Sequence, residues 1–141
     1  MNSTIRRLQL QEQPGRLAVC RLEPDAEIPA WATTGRFFSI TRANDELSIV
    51  CSEADVPGDI RCEREWRCLR IVGAMAFTET GVLASLDTPL AVAGISVFAI
   101  ATFDTDYLLV KANDWDSTLT ELKLAGHEIQ CEAITGARNL S

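Results

Sequence analysis

From Ile95 to Ala101 every residue except Ser96 is apolar, and this run narrows the possible folds more than any other segment. Alternating polarity would suggest a strand wetted on one face. A run apolar at nearly every position, bounded by Gly94 and Thr102, suggests a short strand buried on both faces, which needs elements packed around it. The flanking residues can supply them. Upstream, the pattern predicts a helix over Thr80 to Ala93, with Thr80 as N-cap, Val82, Leu86 and Leu90 on one stripe, and Gly94 as the left-handed C′ residue. Pro89 lies inside that helix and removes one backbone hydrogen bond, so a bend is expected near Ser85.

Downstream, Phe103-Asp104-Thr105-Asp106 reads as a turn, and Tyr107 to Lys111 as the returning hairpin strand. A second helix is expected from Asn113 as N-cap, with Asp114 and Asp116 in the first turn, where carboxylates favour the positive end of the helix dipole. Its stripe is Trp115, Leu119 and Leu122, and Gly126 ends it. His127 to Cys131 reads as a last strand, and Trp66 to Val72, closed by Gly73, as the first. The order is β-α-β-β-α-β over about 65 residues, the split βαβ or ferredoxin-like plan.

The first half shows strands at Arg16 to Leu22, Arg36 to Thr41 and Glu46 to Cys51, with Ala43-Asn44-Asp45 as a hairpin turn between the latter two. Where helices would stand there are only Ile28 to Ala32 and Ser52 to Asp55, each bounded by proline or glycine. Arg61 to Glu65 is a further candidate strand. This half is read as a shortened copy of the second, giving an α+β chain of two ferredoxin-like units: residues 1–65, residues 66–132, and a polar tail at 133–141.

Bulk properties exclude several functions. With 47% apolar residues and a net charge of −7, the chain can build a core and repels phosphate backbones, so no nucleic-acid partner is expected. Arg61, Arg64, Arg67 and Arg70 are interleaved with Glu63 and Glu65, which reads as a paired, solvated face. No apolar run reaches the roughly 20 residues of a membrane span, and no export signal is visible, so a cytoplasmic protein without a membrane partner is expected. The five cysteines form no C-x-x-C pair and sit among apolar neighbours, which suggests reduced, buried thiols. No metal or cofactor is expected. A lone histidine, His127, and the absence of a phosphate loop, a Gly-x-Gly-x-x-Gly turn and a Gly-x-Ser-x-Gly elbow argue against catalysis.

The segments Gly81 to Leu86, Pro89 to Phe98 and Thr102 to Lys111 resemble ACT domains, most closely the small tandem-ACT bacterial proteins and the ACT units of aspartokinases and the CASTOR arginine sensors. Val19 to Leu22, Pro29-Ala30-Trp31 and Phe37 to Thr41 are similar to a degenerate first ACT unit. The resemblance covers about residues 5 to 131. It implies a non-catalytic regulatory module that binds an amino acid and pairs into a homodimer. By the same resemblance, the ligand would lie against Gly81 and Val82 on one side and Thr102, Phe103, Asp104, Thr105 and Asp106 on the other.

The chemistry of these residues fits such a ligand. Free amides at a helix start bind carboxylates, glycine allows close backbone approach, and Asp104 or Asp106 can accept from an ammonium or guanidinium. Asp106, at the strand start, is the better-directed of the two, and as a residue of an exposed turn it is expected to matter little for stability. Other readings stay open. Asp104-Thr105-Asp106 is also an ordinary hairpin turn with local hydrogen bonds. The module could have kept only its dimerising surface. A small enzyme using Asp104 or Asp106 as base is a third reading.

Overall fold

The computed structural model describes residues 7–72 and 82–131. The expectations at Gly73, Thr80 and the 133–141 tail therefore lie outside the described residues. The strands are β1 (Gln9–Glu12), β2 (Leu17–Leu22), β3 (Ser39–Arg42), β4 (Leu47–Ser52), β5 (Cys62–Ile71), β6 (Phe98–Ala101), β7 (Asp106–Lys111) and β8 (Glu128–Gln130), with helices α1 (Val82–Val92) and α2 (Trp115–Leu124). They form two compact units: Gly15–Arg67, and Met1–Pro14 together with Cys68–Ser141. The boundary falls inside β5, so the two expected strands around residues 61–72 are one. The second unit also takes in residues up to Pro14, which the sequence pattern groups with the first.

The Gly15–Arg67 unit is an antiparallel sheet in the order β3-β4-β2-β5. That is the ferredoxin-like strand order, with each helix reduced to a 3-10 turn, at Ala30–Thr33 and Glu53–Asp55. Cys20, Leu47, Ile49 and Cys51 are at its core. Between Leu17 and Val19 the β2–β5 register slips by one residue, and Glu65 takes φ 67°. This bulge frees the Glu65 amide, which donates to Glu53 Oε1 at 2.7 Å. Arg64 donates to the carbonyls of Glu53, Val56 and Pro57 at 3.3, 3.3 and 3.1 Å. One member of the arginine cluster thus holds the second 3-10 turn in place, a structural role for its charge.

In the other unit β7 lies between β5 and β6, and β1 lies between β5 and β8, antiparallel to the first and parallel to the second. The sequence pattern misses β1 because Gln-Leu-Gln-Glu carries one apolar residue, yet that residue, Leu10, is completely buried. It joins Leu69, Ile71, Val82, Leu86, Leu90, Leu108, Val110, Trp115 and Leu122 in one core.

The apolar run is not a strand buried on both faces. Only Phe98–Ala101 is a strand, and it alternates half-buried and exposed; among the described residues β6 pairs with β7 alone, at the edge of the sheet. Ile95 is buried for a different reason: it follows the glycine cap of α1 and packs back on the core. There Ile95 N–H donates to Leu90 O and Gly94 N–H to Ala91 O, with Gly94 at φ 79°. This is a Schellman motif. Gly126, at φ 102°, ends α2 in the same way, with His127 N–H donating to Leu122 O. The start of α2 differs from expectation: a 3-10 turn over Ala112–Asp114 leads in, and Asp114, not Asn113, is the cap residue.

α1 runs through Pro89. Proline has no N–H, so the Ser85 carbonyl loses its partner four residues on. His127 supplies the replacement, with Nε2 3.0 Å from Ser85 O, while Leu8 N–H donates to Nδ1 at 3.1 Å. A carbonyl can only accept and an amide can only donate, so the imidazole is the neutral Nε2–H tautomer. His127 is 4% exposed and bonds backbone groups through both ring nitrogens, a structural role.

Replacing His127 with Ala should destabilise by about 2–4 kcal/mol, since two buried backbone groups lose partners. In a Pro89→Ala background the residue-89 amide can take over Ser85 O, so the same change should cost about 1 kcal/mol less. Urea unfolding of the four proteins in this cycle measures the coupling, and strict additivity would contradict the pairing.

Candidate functional site

The turn between β6 and β7 is closed by two threonines. Thr102 N–H and Oγ1–H both donate to Thr105 O, at 2.8 and 2.7 Å, and Thr102 Oγ1 accepts from Thr105 N–H at 3.2 Å. Thr105 Oγ1–H donates to Ile71 O at 2.8 Å. Both hydroxyl protons are thereby committed, and the turn is pinned to the end of β5, where the chain departs towards α1. The Ile71 carbonyl is a participant that the sequence pattern does not mark, since any residue ending a strand offers the same acceptor.

Besides Thr102, the expected site residues separate into four groups. Phe103 (78% exposed) and Asp104 face solvent, which suits a recognition tip and also an ordinary turn. Val82 opens α1 with its side chain buried in the core, so only its backbone is available to a ligand. Gly81 lies outside the described residues. Thr105 and Asp106 are buried.

Asp106 departs most from expectation. It is not a residue of an exposed turn: it opens β7 opposite Ala101, on the strand face that also carries Leu108 and Val110, and is only 7% exposed. No described residue donates a hydrogen bond to its carboxylate. Burial alone pushes its pKa above the ordinary carboxylate range, because desolvation disfavours the charged form. A buried acceptor at the rim of an apolar core can take a cationic hydrogen-bond donor. Among the described residues no group of three or more His, Cys, Asp or Glu is arranged to hold a metal ion, and no helix is long and apolar enough to cross a membrane.

Comparison with known proteins agrees with this architecture. The ACT-domain family model matches residues 61–123, and a model for an N-terminal domain matches residues 15–59. A crystal structure of a protein from Agobacterium tumefaciens is 43% identical, with TM-score 0.86, over 90% of this chain and 95% of that one. The regulatory subunit of aspartate kinase from Thermus thermophilus, ligand-free, superposes with TM-score 0.55 over 82% of this chain and 93% of that one at 9% identity, a likeness of fold alone. Among curated proteins, the human cytosolic arginine sensor for mTORC1 subunit 1 is 32% identical over 95 residues, or 62% of this chain. The chain spans 29% of that relative's length.

A carboxylate whose pKa is raised by folding stabilises the native state while protonated, and that contribution is lost as pH rises through the raised value. Asp106→Asn should therefore leave the ligand-free protein as stable as the parent or more so at neutral pH. The difference should vanish at acidic pH, where the parent carboxyl is already neutral. Thermal unfolding between pH 3 and 8, roughly the span of a shifted carboxylate titration, checks this. A variant destabilised at neutral pH would show that the carboxylate is satisfied in the free protein.

Proposed function

This chain belongs to the ACT-domain family, and we propose that it is a non-catalytic regulatory protein that binds an amino acid. The observation that carries the reading is Asp106, a residue 7% exposed whose carboxylate receives no hydrogen bond from a described residue. Isolated, it costs stability; facing an ammonium or guanidinium it would be neutralised and hydrogen-bonded. In the proposed site the backbone around Gly81 and Val82 takes the ligand carboxylate and Asp106 takes the cationic end. Phe103 and Asp104 cover the ligand from the turn, and Thr102 and Thr105 hold the turn's shape. The arginine sensor's name supports an amino-acid ligand, and its description as cytosolic supports a cytoplasmic location.

The edge strand β6 favours a second element of the proposal, a homodimer. Its outer backbone groups have no strand partner among the described residues, and Val92 and Phe103 are 84% and 78% exposed. An open edge of this kind is a template for pairing with another chain. Without a ligand, this surface would leave the protein an assembly module.

A thermal-shift panel of amino acids at neutral pH tests the ligand. At least one should raise the melting temperature, because a ligand that binds only the native state stabilises it. Asp106→Asn should weaken that ligand's affinity by about tenfold to a hundredfold, the equivalent of a charged hydrogen bond of roughly 1.5–3 kcal/mol. A panel without any stabilising amino acid, together with a dimer by light scattering, would favour the assembly reading instead.

A further inference from the structure

Three of the five cysteines belong to one face of the Gly15–Arg67 unit. Cys20 on β2 is directly opposite Cys62 on β5, and Cys51 on β4 is opposite Ala18, one diagonal step from Cys20. All three belong to or pack against the same core. The five thiols are free in this structure. The trio does not form a metal site, since no cluster of three or more ligating side chains among the described residues is arranged for one.

Register separates the two possible thiol pairs. Arg21 N–H donates to Arg61 O, so Arg21 and Arg61 are a hydrogen-bonded pair. Cys20 and Cys62, one step along, are then a non-hydrogen-bonded pair, the position at which antiparallel Cα atoms come closest, about 4.5 Å. That is inside the range a disulfide spans, about 4.4–6.8 Å between Cα atoms. The diagonal Cys20–Cys51 pair falls at about 7–8 Å, outside it. Exposure separates the roles: Cys20 is 1% exposed, whereas Cys62 is half-buried and reachable from solvent.

We propose that Cys20 and Cys62 are a peroxide-responsive pair that closes into a reversible cross-strand disulfide, tying β2 to β5. The Cys62 thiolate attacks one peroxide oxygen, the O–O bond breaks, and hydroxide leaves, giving a sulfenic acid. Cys20 sulfur then attacks the Cys62 sulfur. The S–S bond forms, the S–O bond breaks, and the departing hydroxide takes the Cys20 thiol proton as water. The pair loses two electrons and the peroxide gains them. Cys62, half-buried, is the thiol that meets the oxidant, and the buried Cys20, its thiol pushed up to about 12 by burial, is the one that resolves it. The other buried thiol, Cys68, is likewise pushed up to about 12 by burial, and among the described residues no thiol is near enough to hydrogen-bond it.

The full chain treated with hydrogen peroxide and digested without reductant tests this. The expected result is a linked peptide pair containing Cys20 and Cys62, the loss of two titratable thiols per chain, recovery of both with dithiothreitol, and a higher melting temperature for the oxidised protein. Cys62→Ser should abolish the link and the thermal shift, and Cys131→Ser should preserve both. Oxidation confined to the exposed Cys131, a Cys20–Cys51 link, or irreversible oxidation of Cys62 without a linked peptide would each overturn the proposal. The peptide map of the parent protein decides this even if a cysteine variant fails to fold.

Discussion

One imidazole closes the gap that a proline opens. Pro89 leaves the Ser85 carbonyl without its helical donor, and His127 fills the vacancy while accepting from Leu8 N–H. An unpaired buried carbonyl costs about 1–3 kcal/mol, a sizeable share of a small domain's net stability. The position of His127 is itself fixed by Gly126, whose left-handed backbone turns the chain out of α2 and directs the ring. One residue further on, Glu128 N–H donates to Leu8 O and begins the β1–β8 ladder. Helix α1, the inserted strand β1 and the end of α2 therefore meet at a single side chain. The start of α1, which borders the proposed ligand site, inherits its position from that junction.

The same unit carries a group that stability alone would not retain. Asp106 shares a strand face with Leu108 and Val110, where an apolar residue would extend the core. Its raised pKa reflects desolvation without compensation from a described donor. Thr105, its neighbour, is equally buried but fully used, bonded to Ile71 O. The contrast is between a hydroxyl bonded within the turn and a neighbouring carboxylate with no described donor, which leaves that carboxylate available to a ligand in the proposed site.

Much of the architecture was legible because helices and hairpins leave periodic marks. The stripe Val82, Leu86, Leu90, the glycine at position 94 and the turn at Ala43-Asn44-Asp45 each specify local geometry. What stayed hidden depends on long-range pairing. β1 shows one apolar residue and becomes a strand only because β5 and β8 flank it. The 95–101 run has the composition of a central strand but becomes an edge, since strand order is a property of the assembled sheet. Pro89 announced an orphan carbonyl at Ser85, whereas its rescue by a histidine 42 residues away could not be read from local sequence. At the proposed site, the ACT resemblance led to the Asp104–Asp106 turn and its place at a strand start favoured Asp106, whereas its burial came from the register of β7 against β6.

The central claim, that Asp106 is a buried carboxylate reserved for the cation of a ligand, is tested most directly by its own titration. Carboxyl carbon NMR of the protein, recorded with and without the amino acid that stabilises it, follows that single group. The account predicts that Asp106 titrates above the ordinary carboxylate range in the free protein and falls when the ligand is bound, because a neighbouring cation favours the ionised form. By linkage the ligand then binds more tightly as pH rises through the free-state value. An Asp106 that titrates in the ordinary range when free, or whose titration is unmoved by a bound ligand, would contradict it.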